Sequence, residues 1–220
     1  MTHSAPNVLE RFLRYVQFDT QSDETSAAAP STAKQLKLAE ALKDELHQLG
    51  IANAVIGQGG VVYAHIPASP SCEDLPAVGF IAHMDTSPDA SGLHVKPQII
   101  RFDGTDVLLN QTEGIRFPVE RFPEIKKYIG EDVIFTDGTT LLGADDKSGI
   151  AAIMDMAAKI TADPTIAHAK LCIAFTPDEE IGRGTANFDL ERFGADWAVT
   201  IDGGEVGTLE NENFNAGSAV

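Results

Sequence analysis

The chain of 220 residues is 43% hydrophobic and 22% charged, which is ordinary for a soluble globular protein. Its 33 acidic residues outnumber its 16 basic residues, and the formal net charge of −17 argues against nucleic acid or an anionic membrane surface as a partner. The two cysteines, Cys72 and Cys172, lie far apart, which excludes a disulfide framework and a CxxC zinc site. Because no signal peptide or membrane-spanning run is recognisable, the cytoplasm is the predicted compartment.

Helical and strand patterns alternate along the chain. Apolar residues at helical spacing predict helices, and short apolar runs between glycine and proline breaks predict strands. In chain order we predict a helix over 8–16, a helix over 32–49, strands near 53–56 and 61–66, a strand over 77–82, a helix from about 147 to 160, a strand within 170–180, a short helical turn at 188–194 and a strand within 197–205. This alternation predicts an α/β fold with a mixed, largely parallel central sheet flanked by helices.

Two details of this prediction concern the connections. Ser31 or Thr32 is placed to cap the second helix, and Gly50 is placed to end it. Residues 88–140 lack a long periodicity, so we expect loops and small strands there, with a return to the main sheet at residues 140–144.

The most informative motif is AHMDTSPD at residues 82–89, which follows a predicted buried strand. Alternate residues of a strand point to the same side, so His83 and Asp85 are expected to share a face at its end. An imidazole can bind a metal through one nitrogen while a carboxylate orients it through the other. A single pair of this kind is more often structural or solvated, so its meaning depends on the other acidic residues.

Three further apolar runs are followed by acidic residues and then by glycine or a helix start. These runs contribute Asp145, Glu179, Glu180 and Asp202. Because sites in α/β sheets form beyond the carboxyl ends of strands, we expect these side chains to meet His83 and Asp85 at one rim. Five ionised carboxylates repel one another strongly at short range, and two cations bridged by a shared carboxylate would balance them. Zinc suits such mixed ligands, and cobalt or manganese are alternatives.

Each acidic motif also has an ordinary structural explanation. Asp145 or Asp146 could cap the helix that follows them. Glu179 and Glu180 could form a solvated turn, and Asp202 before two glycines could form an Asx turn. Each explanation is reasonable singly, but independent turns are not expected to supply a complete ligand set.

The adjacent glutamates could serve two different purposes. Neighbouring residues in extended backbone point in opposite directions. One of Glu179 and Glu180 could therefore bind metal while the other faces the substrate and accepts a proton from water. The spacing does not decide which glutamate has which role.

The chain resembles the M20 group of two-zinc metallopeptidases in four motifs, HMDTSPD, TLLGADDKSG, FTPDEEIGRG and IDGGEVG. The strings TSPD, FTPDEE and ENFNA resemble in particular the tripeptide aminopeptidases of that group, and the likeness covers nearly the whole chain. The resemblance implies a zinc-peptidase-like catalytic fold, a small peptide as substrate and release of its N-terminal residue. It also implies a homodimer formed through a separate lid domain.

The resemblance also implies roles for the metal-binding residues. Asp145 would bridge two zinc ions, His83 and Asp202 would complete the site of one ion, and Glu180 would bind the other. The peptide bond after Asp145 would be cis.

For the chemistry, the resemblance implies that Glu179 is the general base. It would take a proton from water and return it to the leaving amine. Asp85 would orient the metal-binding His83.

Members of the group are longer and insert a lid and dimerisation domain after the strand that corresponds to the one before Asp202. We therefore expect residues 1–210 to form the N-terminal portion of the catalytic domain, incomplete in this chain, and residues 211–220 to begin the inserted domain. The group's fifth ligand, a histidine near the C-terminus, has no matching motif here. The 220 residues alone are expected to be weakly active or inactive.

Other functions fit parts of the pattern. Another M20 hydrolase (a dipeptidase, carboxypeptidase or N-acyl amino acid deacylase) would share the metal centre but differ in substrate. A non-catalytic metal-binding module would keep the ligands, although it would not need a proton acceptor such as Glu179. A purely structural α/β domain would leave its carboxylates solvated and bind no metal.

Overall fold

The structure is a computed structural model that describes residues 6–204 and 207–209. In chain order its elements are helix α1 (Val8–Tyr15), helix α2 (Gln35–Gln48), strand β1 (Val55–Ile56), a 3-10 turn (Gln58–Gly60), strand β2 (Val62–Ile66), strand β3 (Val78–His83), strand β4 (Gln98–Arg101), strand β5 (Val107–Asn110), strand β6 (Ile115–Phe117), a 3-10 helix (Pro123–Tyr128), strand β7 (Asp132–Phe135), helix α3 (Ala144–Ala162), strand β8 (Leu171–Thr176), a 3-10 turn (Glu179–Ile181), helix α4 (Leu190–Phe193) and strand β9 (Trp197–Thr200). The predicted start of an inserted domain at residues 211–220 lies outside the described residues.

Five strands form the central sheet in the order β1-β2-β8-β3-β9. Strand β3 pairs in parallel with both β8 and β9, whereas β2 pairs antiparallel with β8 and with β1. The mixed sheet flanked by helices confirms the predicted fold class. Because β3, β8 and β9 run in the same direction, the residues that follow them emerge at one edge of the sheet.

Strand β8 lies between two layers of apolar side chains, and all six of its residues are buried. Ile173 and Phe175 belong to the larger core, to which helices α1, α2 and α3 contribute. Cys172 and Ala174 point to the other face and pack in a smaller cluster with Phe193 of α4. This alternation is the period of two expected of a strand, and it fixes which residues face each helix layer.

Helix α1 begins where the sequence supplies a reciprocal cap. The Asn7 side chain accepts a hydrogen bond from the Glu10 amide at 3.0 Å, and the Glu10 carboxylate accepts one from the Asn7 amide at 2.9 Å. This capping box satisfies two amide groups that the helix itself leaves without partners. None of the helices in the described part of the chain is both long and apolar enough to cross a lipid bilayer.

Residues 88–140 form the predicted excursion of loops and small strands. Two two-stranded ribbons, β4–β7 and β5–β6, pack around their own small core of Phe102, Val107, Val119 and Phe135. The predicted return to the sheet at residues 140–144 is wrong, because residues 140–143 belong to no strand. Gly138 and Gly143 both have positive φ angles, of 78° and 76°, and the short apolar run between them leads directly into α3.

The prediction for the start of α2 is also wrong. The helix begins at Gln35 after Lys34, which makes no side-chain capping bond. The Ser31 hydroxyl instead donates to Asp178, and the Thr32 hydroxyl donates to the carbonyl of Gln21. The end of the helix is as predicted, with Gly50 in a left-handed conformation at φ 86°.

Candidate metal centre

His83, the last residue of β3, lies at the centre of the acidic cluster and is almost fully buried. Its Nε2 lies 2.9 Å from Oδ1 of Asp145 and 3.8 Å from Oε2 of Glu179. Its Nδ1 lies 3.1 Å from the carbonyl oxygen of Asp85 and 3.4 Å from Oδ1 of the same residue. His83 and Asp85 therefore contact each other at the end of the strand, as the sequence predicts.

Three of the predicted site residues come close enough to share one cation. One ligand atom from each of His83, Asp145 and Asp202 lies within 4.8 Å of the others. They arrive from the end of β3, the first turn of α3 and the loop after β9. An imidazole nitrogen and two carboxylate oxygens are a ligand set that fits a divalent transition metal such as zinc.

Asp145 and Asp146 are adjacent in sequence, but their side chains make different contacts. The peptide bond between them is cis, as the resemblance implied. Asp146 is buried, and its carboxylate accepts hydrogen bonds from the amides of Gly149 at 3.2 Å and His83 at 3.0 Å. Asp146 therefore caps the helix, whereas the Asp145 side chain is 65% exposed and faces His83.

Gly149 allows α3 to approach the end of β9 closely. A Cβ atom at this position would lie only 2.1 Å from the carbonyl oxygen of Ile201 and 2.3 Å from the Asp146 carboxylate. Only glycine fits such an approach. The contact places the residue after Ile201, which is Asp202, next to the first turn of the helix that carries Asp145.

Glu179 and Glu180 lie in the short 3-10 turn Glu179–Ile181. The expectation of extended backbone at this pair is therefore wrong. Their amides donate to the two oxygens of the Asp85 carboxylate, at 2.9 Å for Glu179 and 3.1 Å for Glu180. One buried carboxylate thus holds both glutamates and touches His83, and this shared contact favours a turn over an extended strand end.

Glu179 and Glu180 differ in their contacts with the acidic cluster around His83. The Glu179 side chain is 53% exposed, and its carboxylate reaches His83. In the described part of the chain, the three-residue ligand group does not include Glu180. Burial and the negative charge of Asp145 raise the pKa of Glu180. The predicted role of Glu180 as a ligand of a second ion stays a prediction.

The cluster holds more negative charge than its own residues neutralise. Among the described residues, ion pairs to Asp85, Asp145 and Glu179 come only from His83. Burial alone would lower the pKa of His83, but the carboxylates of Asp85, Asp146 and Asp145 outweigh that effect and raise it to about 10. Burial, and then the negative charge of Asp202, raises the pKa of Glu179. Both shifts reflect a site that attracts a positive charge.

Sequence reasoning missed the residues that support the glutamate turn. Asp178, directly before the pair, is buried and bonded to Ser31 and Gln35. The signal that could have drawn attention to Asp178 was its place beside the glutamates. Its partners are about 145 residues away in sequence, and no local pattern identifies them.

No protein-family profile matches the chain. It is 57% identical over 215 residues to a protein named Peptidase T from Desulfitobacterium hafniense strain Y51, covering 97% of this chain and 52% of that protein. It is 54% identical over 213 residues to Peptidase T from Clostridium acetobutylicum, covering 96% of this chain and 52% of that protein. The chain therefore spans about half the length of the curated relatives that it matches.

Solved structures with a similar fold include a tripeptidase from Staphylococcus aureus, with a TM-score of 0.61 and 25% identity, matched over 90% of this chain and 43% of that one. The aminopeptidase PepT from Bacillus cereus has a TM-score of 0.62 and 23% identity, over 90% of this chain and 43% of that one. These similarities agree with the mixed sheet and its flanking helices.

Proposed function

We propose that this chain belongs to the peptidase T family and carries the metal centre of an aminopeptidase that releases the N-terminal residue of tripeptides. The convergence of His83, Asp145 and Asp202 beside Glu179 carries this proposal. The relatives support it, because the curated ones are named Peptidase T and one of the similar solved structures is a tripeptidase.

The geometry supports three of the proposed metal ligands, and the fourth, Glu180, is proposed from the family resemblance. His83, Asp145 and Asp202 would hold one divalent ion, and Asp145 and Glu180 would contribute to a second. Zinc is the proposed metal, with cobalt or manganese as alternatives. When bound, such ions polarise a peptide carbonyl and lower the pKa of water.

Glu179 is the proposed general base. Its side chain is half exposed, so a substrate can reach it, and its carboxylate lies beside the proposed ligands. Its raised pKa brings it closer to neutral pH, which suits a group that takes a proton from water and later returns it to the leaving amine. Asp85 fixes the backbone of Glu179 and contacts Nδ1 of His83, so it would align the base with the metal ligand.

The substrate, the partners and the location belong to the same proposal. Small peptides are the proposed substrates, and a homodimer would form through a domain outside the described residues. The cytoplasmic location predicted from the sequence is retained here. The predicted division at residue 210 into a catalytic portion and the start of an inserted domain is retained as well.

The test compares the 220-residue chain with an extended form that also spans the remaining length of its relatives. Zinc content is measured by elemental analysis after dialysis, and hydrolysis is measured on a tripeptide, a dipeptide and an N-acyl amino acid. We expect the extended form to bind two zinc ions and prefer the tripeptide, and the shorter chain to be weakly active or inactive. Preference of the extended form for either other substrate would indicate a different M20 hydrolase, and absence of bound metal would refute the metal centre.

A further inference from the structure

Asp178 is a buried carboxylate that the proposed chemistry does not use directly. Its side chain accepts hydrogen bonds from the Ser31 amide at 2.7 Å, from the Ser31 hydroxyl, and from Nε2 of Gln35 at 2.7 Å. The Asp178 amide donates back to Oε1 of Gln35 at 3.2 Å. Asp178 is 3% exposed and Gln35 is fully buried. The contacts therefore form a closed polar network between the start of α2 and the residue before Glu179.

The backbone conformation of Asp178 is one that these hydrogen bonds help to stabilise. Its φ of 60° and ψ of 25° lie in the left-handed region, which is unfavourable for a residue with a side chain unless surrounding contacts hold it. This left-handed residue lies between β8 and the 3-10 turn that carries Glu179, whose carboxylate reaches His83. From the other side, the Asp85 carboxylate binds the amides of Glu179 and Glu180. Two buried carboxylates, those of Asp85 and Asp178, thus hold the start of the turn.

The loop before α2 contacts both strand ends that carry the site. Near the end of β3, the Gln21 side-chain amide donates to the carbonyls of Pro88 and Ala90, at 3.0 Å each. Beyond the glutamate turn, the Arg183 guanidinium donates to the carbonyls of Ser26 at 2.6 Å and Glu24 at 3.0 Å. The loop therefore joins the segment after His83 to the segment after Glu179.

We propose that Asp178 is a positioning residue for Glu179, held in place by Ser31 and Gln35. This inference rests on the proposed function, because it assigns the network to the alignment of the general base. Displacing a catalytic group by about 1 Å can cost about 10²-fold in rate. Loss of the network should therefore lower turnover without removing the base or a proposed metal ligand.

The variants are Asp178→Asn, which replaces one acceptor oxygen with a donor, and Ser31→Ala, which removes the hydroxyl. The matched control is Ser22→Ala. Ser22 lies in the same loop and is equally buried, but its hydroxyl donates to the carbonyl of Thr86 at 3.2 Å and not to Asp178. Urea unfolding of all three variants identifies any that do not fold, and Ser31→Ala keeps the test valid if Asp178→Asn does not.

Two measurements are made on the extended form. Hydrogen exchange followed by mass spectrometry should be faster at residues 179–181 in Asp178→Asn and Ser31→Ala than in Ser22→Ala. The kcat for a tripeptide should fall by about 10²-fold for Asp178→Asn and about tenfold for Ser31→Ala. KM and zinc content should stay near those of the wild type.

Three results would overturn the inference. Unchanged exchange at residues 179–181 would mean that the network does not hold the turn. Faster exchange with a kcat equal to that of the control would mean that the network is merely structural. A wild-type extended form without peptidase activity would refute the proposed function itself. Because the wild type is assayed before the variants, this result is distinguished from a failure of the inference about Asp178.

Discussion

The ion cluster between the helices and the ion cluster at the strand ends both gather carboxylates around a buried cationic side chain, but they are balanced differently. In the helix cluster, the fully buried Arg11 side chain contacts Glu45 at 2.9 Å and Asp155 at 3.1 Å. Arg14 and the Tyr15 hydroxyl bind the other oxygen of Glu45. Each acid in this cluster has a cationic partner supplied by the protein.

The strand-end cluster has no such balance. It gathers the carboxylates of Asp85, Asp145, Glu179 and Asp202 around one imidazole. In the described part of the chain, no Lys or Arg forms an ion pair with them. Carboxylates gathered this closely repel one another unless a cation lies between them. The comparison indicates that the first cluster stabilises the fold, whereas the second is arranged to receive a cation from outside.

The largest expected effect concerns the role of Glu179 within the strand-end cluster. Glu179→Gln should lower kcat by about 10²–10⁴-fold, because an amide cannot accept the proton from water. Metal content should stay near normal, since the three-residue ligand group does not include Glu179. Tripeptide hydrolysis by the extended form provides the measurement, with Glu191→Gln, an exposed glutamate of α4, as control. Activity within a few-fold of the wild type would rule out the assignment.

A substitution in the helix cluster, whose acids are paired with arginine and lysine, should lower the free energy of unfolding and leave metal binding unchanged. Glu45→Ala leaves Arg11 buried beside a single acid, so the free energy of unfolding should fall by about 3–5 kcal/mol. Urea unfolding measures this change. Glu40→Ala, an exposed glutamate on the same helix, should have little effect. A loss for Glu45→Ala no larger than for Glu40→Ala would contradict the structural role of the helix cluster.

A substitution in the strand-end cluster should instead weaken metal binding and leave the free energy of unfolding of the metal-free protein nearly unchanged. Asp145→Ala removes the contact with His83 but also removes one of several like charges, so the stability of the metal-free protein should change little. The variant should, however, lose bound metal and the stabilisation that metal provides. Zinc at one hundred times its Kd should stabilise the wild type by about 2.7 kcal/mol.

Zinc should not stabilise Asp145→Ala, and Asp44→Ala, an exposed aspartate on α2, should behave as the wild type. Two zinc equivalents retained by dialysed Asp145→Ala would refute the bridging role.

The smallest expected effect is the coupling of metal binding to protons. With its pKa raised to about 10, His83 is protonated in the metal-free site at neutral pH, but only the neutral imidazole can bind metal. Zinc binding should therefore release protons between pH 6 and 8, and the apparent affinity should increase with pH in this range. Calorimetry in two buffers of different ionisation enthalpy measures the release. Proton uptake would contradict the direction of the His83 shift.

Most of the fold could be predicted from periodicity, because its helices and strands carry clear apolar patterns. The run before α3 was predicted wrongly because Leu141 and Leu142 are apolar like a strand but lie between two left-handed glycines, Gly138 and Gly143, and form no strand. The site residues could also be named, since His83 and Asp85 follow a recognisable buried strand. The turn at Glu179 could not be predicted, because it depends on Asp85, which lies far away in sequence.

The division between Asp145 and Asp146 was left open by the sequence for a similar reason. Either residue could cap α3, and in the structure Asp146 does so through the amide of Gly149 while its second oxygen accepts from the distant amide of His83. The same holds for Ser31, a good helix cap by residue type that bonds a distant aspartate. Local sequence predicts which chemical groups are present, whereas tertiary contacts decide which of them face the candidate metal centre.

The glycine at position 149 carries no functional group, yet it sets the gap between two of the three proposed ligands. With a carbonyl oxygen 2.1 Å from where a Cβ would stand, even one added methyl group would force α3 and the end of β9 apart. Asp145 and Asp202 would then no longer reach the same ion. A survey of mutants restricted to residues with reactive side chains would overlook a position on which the assembly of the centre depends.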